Sequence, residues 1–107
     1  MHISTENNVY IIMEYCNGGS LENFINKNQN IEEQTIWKIL SDICKGYRVL
    51  YDLHVIHRDL KPDNILIHNG KYKIADFGLV RKVNHHNITQ NLSTKGTPLY
   101  MAPELKL

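Results

Sequence analysis

Charge of one sign is what this 107-residue sequence most plainly lacks: twelve Lys and Arg stand against eleven Asp and Glu, a net charge of +1. That balance excludes a polyelectrolyte surface, so no nucleic-acid or anionic-membrane partner is expected. Long apolar runs are missing too. The longest is Val9–Met13, far short of a membrane span, and the first residues lack the basic flank and apolar stretch of a signal peptide. Only two cysteines occur, Cys16 and Cys44. They make no metal or disulfide framework and point to a reducing, cytoplasmic setting, the nucleus not being excluded. There is no internal repeat and no low-complexity linker. The content that remains, 42% hydrophobic and 21% charged, suits one small folded domain.

Local patterns divide the chain. Val9–Met13 is rich in β-formers and follows the turn-prone Asn7-Asn8, which reads as the end of a hairpin and a strand. Gly18-Gly19 breaks it, and Ser20 is placed to cap a short helix reaching about Asn26, with Glu22 in the first turn. Ile36, Ile39, Leu40, Ile43, Tyr47 and Leu50 recur at three-and-four spacing, predicting one buried face of a helix over about 32–52. Gly46 within it predicts a close approach to a neighbour. Asn64–Ile67 and Tyr72–Ala75 are of strand length, and Asn69-Gly70 between them is a strong hairpin signal. From Leu79 to Leu99 there is little period, and such a long loop is commonly functional.

The polar residues that stand out flank that second hairpin. His57-Arg58-Asp59-Leu60-Lys61-Pro62-Asp63-Asn64 precedes its first strand and Asp76-Phe77-Gly78 follows its second. A hairpin returns its ends to one place, so Asp59, Lys61, Asn64 and Asp76 are expected to converge. Two carboxylates, an ammonium and a carboxamide suit a hard cation and a phosphate, since Mg²⁺ is typically held by one or two carboxylates plus phosphate oxygens. A carboxylate not spent on the cation can orient or deprotonate a hydroxyl.

HRDLKPDN at 57–64, DFG at 76–78 and APE at 102–104, in that order, resemble the catalytic loop, metal-binding loop and activation-segment end of a eukaryotic-type protein kinase. The resemblance implies an α+β, protein-kinase-like fold, present in part: an N-lobe remnant over 1–13, a hinge over 14–19, and the start of the mainly helical C-lobe over 20–107. It implies ATP and Mg²⁺ as cofactors and a protein substrate bearing Ser or Thr. Asp59 would orient the acceptor hydroxyl, Lys61 would steady the transferred phosphate, and Asn64 and Asp76 would hold magnesium. Met13 would be the gatekeeper, the backbone of Glu14 and Cys16 would meet the purine edge, and Leu66 would lie under the adenine. His57 and Phe77 would stack in the apolar spine. Lys61, and the run Gly96–Glu104 with Thr97 near Asp59 and Lys61, resemble serine/threonine rather than tyrosine kinases. Ser93 and Thr94 are the candidate sites for an upstream activating kinase, because a phosphate there can pair with Arg58.

The sequence also departs from the family pattern. It has no G-x-G-x-x-G, no Val-Ala-Ile-Lys strand, and only Leu105-Lys106-Leu107 beyond the APE glutamate. Met1–Ile3 reads as a strand end whose partners lie before the first residue. The expectation is therefore a kinase fragment that is inactive and marginally folded by itself. The alternatives are a truncated kinase-like binding module and an incomplete gene model. Simpler readings stand beside the sharp ones. Asp59, Asn64 and Asp76 can serve as loop caps, Arg58 can pair with a surface acid, and Met13, Leu66, Cys16 and Cys44 read as buried apolar residues. His54, His57, His85 and His86 lack a completing metal cluster, and the acceptor patterns at Asn87 and Asn91 match glycosylation sites in a chain with no sign of secretion.

Overall fold

The computed structural model describes residues 1–83 and 95–105. It opens with a hairpin in which β1 (His2–Ser4) runs antiparallel to β2 (Val9–Ile11). The turn closes because the Thr5 hydroxyl accepts the Asn8 N–H at 3.1 Å while the Thr5 N–H reaches the Asn8 carbonyl at 2.7 Å. The first strand finds a partner inside the chain, His2 opposite Ile11, at the hairpin that the Asn7-Asn8 turn predicts. Both strands are exposed. Met13 just beyond them is 77% exposed, against the expectation of a core residue, because no described element packs over it.

Helix α1 (Leu21–Lys27) starts where Ser20 Oγ accepts the Asn23 N–H, the capping bond its sequence position predicts. Its Leu21 joins Ile39, Ile65 and Tyr72 in the buried core. Helix α2 (Glu33–Asp52) is braced by i,i+4 pairs, Lys38 to Asp42 beside the second hairpin and Arg48 to Asp52 on exposed surface, both at 2.9 Å. Only Ile39 and Leu50 of its expected apolar face are buried; Ile36, Leu40 and Tyr47 are close to half exposed. At 100° per residue, Ile39, Ile43, Gly46 and Leu50 form one narrow stripe, whose Ile39 and Ile43 share the core cluster with Tyr72 and Ile74 of the second hairpin, and the other three lie further round the helix. Gly46 does meet a neighbour there: a Cβ on it would touch Ile74 Cδ1 at 3.4 Å, an ordinary contact. The uncovered stripe borders an open groove of about 520 Å³ lined by Ile43, Cys44, Tyr47, Arg48, Tyr51 and Leu60. Cys44 is consequently exposed and Cys16 only part-buried, correcting the expectation that both are buried.

Strands β3 (Val55–Ile56) and β6 (Arg81–Lys82) make a two-residue ladder. Between them in the chain, β4 (Ile65–His68) and β5 (Lys71–Ile74) form the second hairpin, with Ile65 opposite Ile74 and Leu66 opposite Lys73. Asn69 and Gly70 take φ of 48° and 70°, the left-handed pair a tight two-residue turn requires. Alternation sorts the hairpin's faces. Ile65, Ile67, Tyr72 and Ile74 pack into the core, so Leu66, His68, Lys71 and Lys73 share the opposite face. The Asp42 carboxylate of α2 accepts the Tyr72 N–H at 3.2 Å, docking the hairpin on the helix. The architecture is α+β, and no helix among the described residues is long and apolar enough to cross a membrane.

Candidate active site

The segment between β3 and β4 holds its polar side chains through backbone bonds made by its neighbours. His57 is 2% exposed. Its Nδ1 accepts the Asp59 N–H at 3.3 Å, so Nε2 carries the proton given to the Ala75 carbonyl at 2.9 Å. One buried ring thus ties the segment before β4 to the segment after β5. Phe77 packs edge-on against the same ring, centroids 5.4 Å apart. Arg58 adopts φ 68° and its Nε donates to the Leu79 carbonyl at 2.6 Å, a backbone partner on the segment beyond β5.

Asp59 is the hub. Its Oδ1 accepts both the Thr97 N–H at 3.0 Å and the Thr97 hydroxyl at 2.7 Å. Its Oδ2 accepts Asn64 Nδ2 at 3.1 Å and stands 3.7 Å from Lys61 Nζ. Lys61 in turn donates to Thr97 Oγ1 at 2.9 Å, so one hydroxyl bridges the carboxylate and the ammonium. The Thr97 hydrogen bond is the main reason the Asp59 carboxyl lies below its ordinary range; Lys61 and Asn64 add to this, and burial opposes it. The group is therefore an anion at neutral pH, held in a fixed orientation. Gly96 makes the approach of Thr97 possible: at φ 137° it lies so close that a Cβ would sit 2.5 Å from the Arg58 carbonyl oxygen.

Asn64 closes the short 3-10 turn Pro62–Asn64 and is buried. Both Nδ2 protons go to Asp59, one to its carbonyl at 2.8 Å and one to its carboxylate. That fixes the amide orientation and leaves Oδ1, the amide atom able to coordinate a cation, without a hydrogen bond among the described residues. The Asn64 carbonyl accepts the Ala75 N–H at 2.8 Å, which brings the start of the Asp76-Phe77-Gly78 segment beside it. Asp76 itself is exposed, with φ 58°, and its Oδ1 accepts the Gly78 N–H at 3.2 Å. An uncommitted amide oxygen and an exposed carboxylate on adjoining segments fit a magnesium ion that takes its other ligands from phosphate and water. Among the described residues no cluster of three or more His, Cys, Asp or Glu forms a metal cage by itself.

The 14–19 segment is fastened to β4 by reciprocal bonds, Gly18 N–H to the Ile67 carbonyl and Ile67 N–H to the Gly19 carbonyl, both 2.8 Å. A Cβ at Gly18 would lie 2.7 Å from Ile67 Cβ, so the glycine is required for this approach. Leu66, part-buried, bridges to Ser20 on that side of the hairpin. Sequence reasoning assigned Glu14 through its backbone and missed its side chain, which takes Lys73 Nζ on both oxygens at 2.7 and 2.6 Å. That bond, more than the nearby His68, lowers the Glu14 carboxyl below its usual range. The candidate phosphosites Ser93 and Thr94 lie outside the described residues.

Comparisons with known proteins bear on this geometry. The family described as Protein kinase domain matches residues 2–106. Human serine/threonine-protein kinase ULK1 is 40% identical, over 92% of this chain and 10% of its own length. Serine/threonine-protein kinase ATG1b of Arabidopsis thaliana is 37% identical over 96% of this chain, and serine/threonine-protein kinase CLA4 of Eremothecium gossypii 38% over 97%. The chain spans 15% and 14% of the length of those last two relatives.

Proposed function

This chain belongs to the protein kinase domain family, and from that premise we propose that it carries the catalytic-loop half of a site transferring the γ-phosphoryl group of ATP to a Ser or Thr hydroxyl of a protein. Residues 1–13 belong in this reading to the upper lobe, 14–19 to the hinge and 20–107 to the lower lobe. The observation that carries it is the Asp59–Thr97–Lys61–Asn64 constellation: one oriented anion and one ammonium joined by one bridging hydroxyl, with a buried carboxamide on the anion's other oxygen.

Each residue has a task that its surroundings explain. Asp59, ionised and fixed by Thr97 and Asn64, accepts a hydrogen bond from the acceptor hydroxyl, so that the hydroxyl's lone pair faces the γ-phosphorus, and takes the proton as the new O–P bond forms and the bond from the γ-phosphorus to the β,γ-bridging oxygen breaks, releasing ADP. A carboxylate of lowered pKa is a weak base, so orientation rather than early deprotonation is its main contribution. Lys61 balances charge on the equatorial oxygens of the group in flight. Asn64 Oδ1 and the Asp76 carboxylate would hold magnesium, which when bound neutralises the nucleotide's phosphates. Leu66 and the backbone of Glu14 and Cys16 would receive the adenine. Met13, exposed in this structure, keeps only its position at the end of the second strand in support of a gatekeeper role. Ser and Thr selectivity is supported by Lys61 and Thr97 sharing the Asp59 carboxylate, and a reducing, cytoplasmic setting by two free thiols.

The test is phosphotransfer from labelled ATP to a generic Ser/Thr substrate by the full-length protein, with Asp59→Asn and Asp76→Asn alongside. Each substitution is expected to lower the rate by about 10²–10⁴-fold. Asp59→Asn should retain Mg·ADP binding, whereas Asp76→Asn should lose the magnesium dependence of that binding. Undiminished turnover in Asp59→Asn overturns the reading, and nucleotide binding without turnover in the unaltered protein favours the binding-module alternative.

A further inference from the structure

Among the described residues, those from 13 to 15 make no backbone–backbone hydrogen bond: the last one before them is Ile12 N–H to the Met1 carbonyl, and beyond them the chain enters a turn at Asn17-Gly18, where Gly18 N–H reaches the Ile67 carbonyl. This is the stretch whose backbone has to meet a purine edge if the kinase reading holds, and the present inference rests on that reading. Its fastening comes from side chains. Asn17 and Asn69 exchange two long contacts of 3.4 and 3.5 Å at one end. Glu14, in the middle, is gripped on both carboxylate oxygens by Lys73 Nζ at 2.6 and 2.7 Å, with His68 Nε2 at 3.6 Å from Oε1.

Lys73 is well placed to transmit position. It is the cross-strand partner of Leu66 in β4–β5, so both side chains leave the hairpin on the face turned away from the core. The residue proposed as the floor of the adenine pocket and the residue that holds Glu14 are thus fixed to each other by the ladder itself. We propose that the Glu14–Lys73 ion pair is a clasp that sets the spacing between the 13–17 backbone and the Leu66 floor, making both positioning residues for purine binding. Neither side chain touches the nucleotide in this role; they act through the backbone they hold.

Both partners are part-exposed, 52% for the Glu14 side chain and 37% for Lys73, which is the setting of modest ion pairs, so breaking the clasp is expected to weaken purine binding by about two- to fivefold. The probes are adenosine, whose neutrality removes any direct field effect of the altered charges, and Mg·ADP, titrated calorimetrically into the full-length protein. Glu14→Gln and Lys73→Met should each weaken both ligands, raise KM for ATP and leave kcat and the melting temperature of the free protein unchanged. The charge-exchanged double variant, Glu14→Lys with Lys73→Glu, should return adenosine affinity to within about twofold of the unaltered protein. Unchanged adenosine affinity in the single variants, or a double variant no better than the singles, overturns the clasp and leaves the kinase reading standing. Failure of the unaltered protein to bind either ligand overturns both.

Discussion

At the scale of single residues, the site is governed by how closely two backbone segments approach. Gly96 lies against the Arg58 carbonyl, where a Cβ would come within 2.5 Å of the oxygen, and its φ of 137° is one that L side chains rarely adopt. Gly96→Ala is therefore expected to push the segment off, separating Thr97 from Asp59. A strained backbone of this kind costs on the order of 1–3 kcal/mol, so kcat in the full-length protein should fall about 5- to 150-fold with little change in KM for ATP. Gly70→Ala supplies the contrast: φ is 70° but no atom lies within 4 Å of its added Cβ. It should lower stability by about 1–2 kcal/mol and leave kcat alone. Most of this site was legible in the sequence, because Asp59, Lys61 and Asn64 fall within one octapeptide and Asp76 begins the segment beyond a turn marked by Asn69-Gly70. Glu14 and Lys73 were not, since their pairing joins residues 59 positions apart and depends on which face of a hairpin turns outward.

At the scale of elements, the patterns with a clear period or a strong cap are those the structure reproduces. Ser20 caps α1, and the β4–β5 hairpin lies within one residue of the positions its apolar runs suggest. The β3–β6 ladder was illegible because two-residue strands carry no period, whereas the first hairpin was announced by the Asn7-Asn8 turn before a β-forming run, although its short strands bury nothing. Periodicity also told which residues of α2 share a face without telling whether anything covers it. The docking of α2 on the hairpin makes its own prediction. Asp42 accepts the Tyr72 N–H and pairs with Lys38, and that Lys38 hydrogen bond is the main cause of its lowered pKa, with the Tyr72 N–H contributing. A carboxyl depressed in the folded state adds stability that is present above its unfolded pKa and lost as pH falls through the folded one. Acid unfolding followed by circular dichroism should show that loss in the unaltered protein. Asp42→Asn, expected to cost about 1 kcal/mol at neutral pH, should remove this part of the acid dependence.

At the scale of the whole molecule, the chain exposes 8713 Å², whereas a compact monomer of its 12.5 kDa mass is expected to expose about 6,200 Å². The radius of gyration, 16.0 Å, likewise exceeds the roughly 13 Å of a compact domain of this length. Part of the difference is visible on α2, where Trp37 and Leu40, and Tyr47 and Tyr51 in the lining of the open groove, stay between 45% and 64% exposed. Side chains left half in water forgo about half of the 1.5–3 kcal/mol that full burial supplies, so the 107-residue polypeptide alone should unfold with a free energy below the 5 kcal/mol at the foot of the usual range, roughly. Two neighbouring substitutions on α2 separate covered from uncovered surface. Ile39, 8% exposed in the core, should cost about 2–4 kcal/mol on truncation to Ala, enough to leave the isolated chain largely unfolded in a urea titration. Leu40, 47% exposed, should cost under about 1 kcal/mol, and a Leu40→Ala loss as large as that of Ile39→Ala would show that the stripe is covered in solution.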